Sequence, residues 1–144
     1  MINRILLERI LGDIEANVRD LRNAQDITWE VYRTDKRARR FVERTLHIII
    51  EAYIYIAQRI ISDEGLREPA SDRDTFAVLA ENGILCREDL EKFENIAAFR
   101  NLLVHYYERV DDEVVFGFFK KNLSDFDLFV KRIIQRIEKE SKGP

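Results

Sequence analysis

The sequence is poor in the residues that turns need, with five glycines and two prolines among 144 residues. A sandwich or barrel of short strands would require more turn residues than that, whereas a helical bundle would not. The chain is 46% hydrophobic and 35% charged, which is typical of a globular domain rather than of a disordered tail or a membrane protein. Length and composition therefore predict one all-α domain over residues 1–144, with the last few residues frayed.

Several kinds of site are excluded by residues that the chain lacks. A single cysteine, Cys86, excludes an intramolecular disulfide and a cysteine-based zinc site, and it suits a reducing compartment. The only histidines, His47 and His105, are too few for a histidine-rich metal site. No glycine-rich loop of the GxxxxGK or GxGxxG kind occurs to hold a phosphate. We therefore expect neither a metal nor a cofactor.

Charge and hydropathy limit the partners of the protein. The formal net charge of −3 excludes binding of nucleic acid by bulk attraction, so any RNA contact must be local. The longest apolar run, residues 52–57, is far shorter than the ~20 residues of a membrane span, and charged residues interrupt the N-terminus. We predict a cytoplasmic protein with no signal peptide and no membrane partner.

Apolar residues at three- and four-residue steps predict a single-domain antiparallel bundle of about five or six helices. The predicted helices cover about residues 2–21, 35–62, 71–83 and 87–109, followed by 113–139 with a break near Gly117 or at Ser124. Thr34 or Asp35 is expected to cap the second helix and Gly65 to end it. Ser71, three residues before Asp74, resembles a capping box for the third.

Some features have both a structural and a functional interpretation. The basic run from Lys36 to Arg44 is either a solvated helix face, an RNA backbone track or a landing site for an acidic partner. His47 is expected to be a satisfied packing or interface residue, and Cys86 an inert small residue near a helix start. The aromatic stripe from Phe116 to Phe129 is expected to form core or a dimer interface.

Polar side chains are dense in FRNLLVHYY, residues 99–107, near the end of the fourth predicted helix. On an ideal helix Arg100 and Tyr107 lie about 20° apart in projection, and Asn101 and His105 about 40° apart. Arg100 and His105 are about 140° apart, so they do not share a face of one helix unless the helix tightens or the long Arg100 side chain wraps round it. If the fourth helices of two protomers face each other across a two-fold axis, both pairs of side chains converge on one cleft.

Glu51 lies within an apolar run, where a buried carboxylate needs a partner. Arg100 or His105 could be the partner of this carboxylate, and Arg59 is an equally good candidate.

The spacing of arginine, four residues, histidine, one residue and tyrosine resembles the R-x4-H-x-Y motif of HEPN-domain ribonucleases, in the HepT-like toxin subgroup. The resemblance extends over most of the chain, including IEAYIYIAQRIISDEGLREPASDRDTFAVLAENGI and AFRNLLVHYYERVDDEVVF. It implies a metal-independent endoribonuclease toxin of a type VII-like HEPN/MNT toxin–antitoxin pair, a homodimer with RNA as substrate. It also implies an MNT-type nucleotidyltransferase antitoxin that AMPylates Tyr107.

Carried over by residue, the resemblance makes Arg100 and His105 the catalytic pair, with Asn101 the residue often found after the arginine. Attack of the RNA 2′-OH on the adjacent phosphate needs a proton acceptor, a proton donor and a cation. Two His105 side chains from a dimer could serve as base and acid, and Arg100 as a bidentate phosphate donor. The expected product carries a 2′,3′-cyclic phosphate. AMP on Tyr107 would compete for the guanidinium and exclude the substrate.

Two other functions remain open from the sequence. In a binding module, a pocket at the end of the fourth predicted helix would hold a nucleotide or the antitoxin without catalysing a reaction. In a helical scaffold the motif would only build an interface.

Overall fold

The computed structural model describes residues 4–104 and 111–141, which form α-helices and one 3₁₀ turn, with no strand in these ranges. The elements are α1 (Arg4–Arg22), α2 (Trp29–Thr34), α3 (Lys36–Glu64), α4 (Asp72–Glu81), the 3₁₀ turn (Arg87–Asp89), α5 (Leu90–Val104), α6 (Asp112–Lys121) and α7 (Leu123–Ser141). The prediction of an all-α bundle is confirmed.

Helix α3 is the centre of the bundle, since it packs against α1, α2, α4, α5 and α6. Its second half is apolar on most sides, and the side chains from Leu46 to Ile61 include nine that are buried. Helix α1 presents a narrower apolar stripe, formed by Leu7, Leu11, Ile14, Val18 and Leu21. The buried side of α3 therefore forms the centre of the core, while other side chains of the helix remain exposed.

The ends of α3 and the start of α4 follow local sequence chemistry. Asp35, rather than Thr34, caps α3, because its side chain accepts hydrogen bonds from the backbone N–H groups of residues 37 and 38. Gly65 ends α3 with φ of 65°, a left-handed conformation that favours glycine. Ser71 caps α4 by accepting a hydrogen bond from the backbone N–H of Asp74.

The helix count differs from the predicted five or six because α2 is present as a separate helix. Its six residues are too few to show a periodic pattern, and Thr28 caps it. The break in the C-terminal region lies at Asn122, between α6 and α7. Ser124 is therefore close to the break, whereas Gly117 lies inside α6.

The aromatic stripe belongs to the core. Phe118, Phe119, Phe126 and Phe129 are buried, and the ring centroid of Phe129 lies 4.2 Å from that of Tyr53 on α3. Aromatic contacts of this kind fasten α7 to the central helix.

Cys86 directly precedes the 3₁₀ turn, as expected for a residue near a helix start, and it is exposed to solvent.

Candidate functional site

The structure joins Glu51 of α3 to Arg100 of α5. Nε of Arg100 donates to Oε1 of Glu51 at 2.6 Å, and Nη2 donates to Oε2 at 3.4 Å. The guanidinium therefore meets the carboxylate with two parallel contacts, the arrangement in which arginine binds carboxylates most specifically. Arg59, the other contender for Glu51, lies 3.3 Å from Asp63 instead.

A second carboxylate holds the same guanidinium from a third helix. Nη1 of Arg100 donates to Oδ2 of Asp72 at 2.9 Å. Asp72 is the first residue of α4, so the Ser71 cap fixes the turn that carries it. Nε2 of Gln58 also donates to Oδ1 of Asp72 at 3.4 Å. We call Glu51, Asp72 and Arg100 the arginine clamp.

Asp72 was missed by the sequence reasoning, which gave Arg100 no partner beyond Glu51. The two residues are 28 positions apart and lie on different helices. The available signal was the donor count, since a guanidinium has five N–H groups and one carboxylate does not accept them all.

His47 lies one helical turn before Glu51, on the same side of α3. Its Nε2 is 3.4 Å from Oε1 of Glu51, and its side chain is a quarter exposed. The expectation of a satisfied packing or interface histidine fits this position. The contact also places an imidazole at the edge of the arginine clamp.

Hydrogen bonding between Glu51 and Arg100 shifts the pKa of each towards the ionised form. The hydrogen bond from Arg100 lowers the pKa of Glu51 below its ordinary value, against the opposing effect of burial. The hydrogen bond to Glu51 likewise raises the pKa of Arg100. The side chain of Arg100 is 31% exposed, so solvent reaches the clamp. Its three hydrogen bonds to carboxylates leave two N–H groups that no described residue accepts.

Of the remaining predicted site residues, the structure describes Asn101. Asn101 is exposed at the next position of α5. His105 and Tyr107 lie outside the described residues.

The described part of the chain contains neither a group of metal ligands nor a membrane-spanning helix. No group of three or more His, Cys, Asp or Glu side chains in residues 4–104 and 111–141 is arranged to hold a metal ion. Among the helices of these two segments, none combines the length and the apolar character needed to cross a membrane.

Two curated relatives of this chain are named as nucleases. The mRNA nuclease HepT of Shewanella oneidensis is 31% identical over 80 residues, which are 56% of this chain and 60% of that protein. The match thus spans less than two thirds of that relative. The tRNA nuclease HepT of Aphanizomenon flos-aquae is 26% identical over 132 residues, covering 92% of this chain and 90% of that protein.

The fold matches that of solved structures at low sequence identity. One is the tri-AMPylated Shewanella oneidensis HEPN toxin in complex with an MNT antitoxin, with a TM-score of 0.80 and 24% identity. The match covers 93% of this chain and 99% of that chain. The family model described as ribonuclease HepT-like matches residues 14–133, which is most of the sequence. The chain therefore belongs to the ribonuclease HepT-like family.

Proposed function

We propose that this protein is a metal-independent endoribonuclease toxin and that an MNT-type nucleotidyltransferase neutralises it. The arginine clamp carries the proposal, because two helices contribute carboxylates that hold the motif arginine at the solvent-accessible end of α5. Family membership supports the same function, as do the nuclease names of both relatives.

In the proposed reaction Arg100 binds the phosphate at which the RNA is cut. Glu51 and Asp72 restrict the orientation of its guanidinium before substrate arrives, and preorganised donors of this kind stabilise charge that develops in the transition state. One His105 accepts the proton of the 2′-OH, and the second His105 of a homodimer donates a proton to the leaving 5′ oxygen. The products are a 2′,3′-cyclic phosphate and a free 5′-hydroxyl.

The homodimer is proposed to form around α5. Large apolar side chains are exposed on the two helices that carry Glu51 and Arg100, with Ile48 41% and Tyr55 43% exposed on α3 and Leu102 38% exposed on α5. Burying these side chains against a second copy would remove them from water and bring two copies of the motif together.

Neutralisation is proposed to act through Tyr107. Transfer of AMP from ATP to its phenolic oxygen releases pyrophosphate and leaves a phosphodiester on a residue seven positions after Arg100 in the sequence. The new anion would bind the guanidinium in place of the substrate phosphate. The tri-AMPylated state of the Shewanella toxin, in complex with an MNT antitoxin, supports modification by AMP, and the choice of Tyr107 rests on the motif.

Substitution of the motif residues tests the nuclease. Arg100→Lys keeps the positive charge but loses the planar guanidinium that binds a phosphate through two N–H groups, so we expect RNA cleavage to fall at least about tenfold. We expect His105→Ala to reduce cleavage by a factor of about 10² or more. Arg59→Lys, a matched change on α3, should cleave as wild type does. Cleavage is followed on labelled RNA, with chemical identification of the cyclic phosphate end.

Equal cleavage by all four proteins would contradict the assignment of the catalytic pair. Nucleotide binding that depends on Arg100 while RNA stays intact would instead favour the binding module.

Mass spectrometry of the intact protein tests the modification. After incubation with an MNT-type nucleotidyltransferase and ATP, we expect mass steps of whole adenylate units. Tyr107→Phe should remove them and the neighbouring Tyr106→Phe should retain them. Steps that persist in Tyr107→Phe and vanish in Tyr106→Phe would show that the wrong tyrosine had been assigned.

A further inference from the structure

Three arginines lie along the exposed face of the N-terminal half of α3. Arg37, Arg40 and Arg44 are all exposed, and on an ideal helix they fall within about 60° of one another in projection. Glu51 of the arginine clamp lies within the same sector, about 10 Å further along the helix axis from Arg44. We call these three residues the basic track.

The basic track keeps most of its charge unpaired in the described segments, although Arg40 interacts electrostatically with the carboxylate of Glu43. Nearby arginines are engaged, since Arg33 pairs with Glu30 at 2.9 Å and Arg39 donates to the carbonyl of Arg33. No carboxylate of the described segments forms a salt bridge with a residue of the basic track. Residues 36–44 hold five basic side chains and one acidic one in a chain of net charge −3. The positive charge is therefore local and available to an anion.

We infer that the basic track binds the phosphate backbone of the single-stranded RNA whose cleavage is proposed at Arg100. The three arginines span about 10 Å of helix axis. The phosphates of one strand in a duplex are about 3.4 Å apart along its axis, so this length accommodates several phosphates. The line from Arg37 to Glu51 then guides the strand along α3 towards the arginine clamp. This inference rests on the proposed nuclease function.

An exposed aromatic side chain beside the basic track favours RNA over an acidic protein. Phe41 follows Arg40 and is 39% exposed, although it is large and apolar. Exposed rings set among arginines are typical of single-strand binding, because bases stack on the ring while the cations contact the backbone. An acidic protein surface would use the charges but would leave the ring without a function.

Binding of an uncleavable RNA tests the basic track without any need for catalysis. The probe is a 2′-O-methyl oligouridylate of about 12 nucleotides, within the range of single-strand sites. In the variant Arg37→Gln/Arg40→Gln/Arg44→Gln we expect at least about tenfold weaker binding at low salt. The slope of log K against log salt should be smaller by about 2, since each single-strand phosphate contact contributes about 0.7. Phe41→Ala should weaken binding while leaving that slope unchanged.

A matched control removes the same charge elsewhere. Arg9→Gln/Arg19→Gln/Lys131→Gln changes three exposed basic residues of α1 and α7 and should bind the probe and cleave RNA as wild type does. Circular dichroism and thermal midpoints of both triple variants verify that they fold.

Cleavage distinguishes the basic track from the catalytic site. A dinucleoside monophosphate offers one phosphate, whereas an oligonucleotide also reaches the basic track. We expect the triple track variant to lower kcat/KM for the oligonucleotide at least about tenfold more than for the dinucleotide. A protein that binds the probe through the basic track but cleaves neither substrate would refute the proposed function and leave this inference supported.

Two results would overturn the inference. One is wild-type affinity and salt slope in the triple track variant. The other is loss of binding to the nucleotidyltransferase with RNA binding intact, which would make the basic track a landing site for an acidic protein.

Discussion

At the residue scale, the contact between Glu51 and Arg100 makes folding stability depend on pH. The pKa of Glu51 is lowered in the folded protein, so its contribution is present above its ordinary pKa of 4.5 and is lost as pH falls through the lower folded value. We expect Glu51→Gln to lower the free energy of unfolding at pH 7 by at most about 1 kcal/mol, because the side chain is substantially exposed. Urea denaturation at several pH values measures this difference.

The difference between wild type and Glu51→Gln should shrink below about pH 4.5 as the wild-type carboxylate protonates. Glu15→Gln, at an exposed carboxylate of α1, serves as the control. A difference that grew towards acid pH would contradict the stabilising contact with Arg100.

Individual residues show why only part of the arginine clamp could be predicted. Glu51 stands out in the sequence because a charge inside an apolar run needs a partner, and Arg100 was among the three candidates. The choice between Arg100 and Arg59 depends on how α5 crosses α3, which local spacing does not determine. Asp72 gives no such signal, because an acidic residue in the first turn of a helix is already explained by the helix dipole.

At the scale of elements, the cap of α4 both stabilises a helix and positions a site residue. Removing the Ser71 side chain leaves the backbone N–H of Asp74 without its acceptor, so we expect Ser71→Ala to cost about 1 kcal/mol of folding stability. It should also loosen the turn that holds Asp72 against Arg100. Thermal unfolding measures the stability, and hydrogen exchange of the α4 amides measures the fraying.

Ser71→Asp retains a capping acceptor and should restore most of the loss. If Ser71→Ala and Ser71→Asp were equally destabilised, a steric rather than a capping role would be indicated.

The predictability of the helices depended on their length and on their caps. Helix α3 was predicted closely, since 29 residues with strong signals at Asp35 and Gly65 leave little ambiguity. Helix α2 was missed because six residues hold fewer than two turns and show no period. For the break at Asn122 the sequence offers Gly117, five residues early, and Ser124, two residues late, because both residue types occur in turns and neither decides the position.

At the scale of the whole molecule, dimerisation is open to direct measurement. We expect sedimentation to give a dimer for the wild type and a monomer for Leu102→Glu, because the change would place a carboxylate in the proposed apolar contact around α5. RNA cleavage should fall together with the dimer fraction if the site needs both copies of His105.

Val114→Glu is the matched control, since Val114 is 44% exposed on α6 and should not affect the association. A wild-type monomer that cleaves RNA fully would contradict the composite site. A Leu102→Glu protein that stays dimeric would place the interface elsewhere.

The class of the fold was predictable from composition alone, whereas the meeting of three helices at Arg100 was not. A chain with few glycines and prolines has few turn residues, which favours helices over many short strands. The periodicity of the apolar residues then indicates which helix faces are buried. The convergence of α3, α4 and α5 depends on packing angles that are set by the shapes of many buried side chains. Local sequence patterns do not determine those packing angles.

The exposed position of the single cysteine has a practical consequence. A nitroxide attached to Cys86 would mark each protomer at one point near the start of the 3₁₀ turn. Pulsed electron paramagnetic resonance would then give one distance between labels for a two-fold assembly, and none for isolated chains. That distance would orient the two copies without engineering a second thiol.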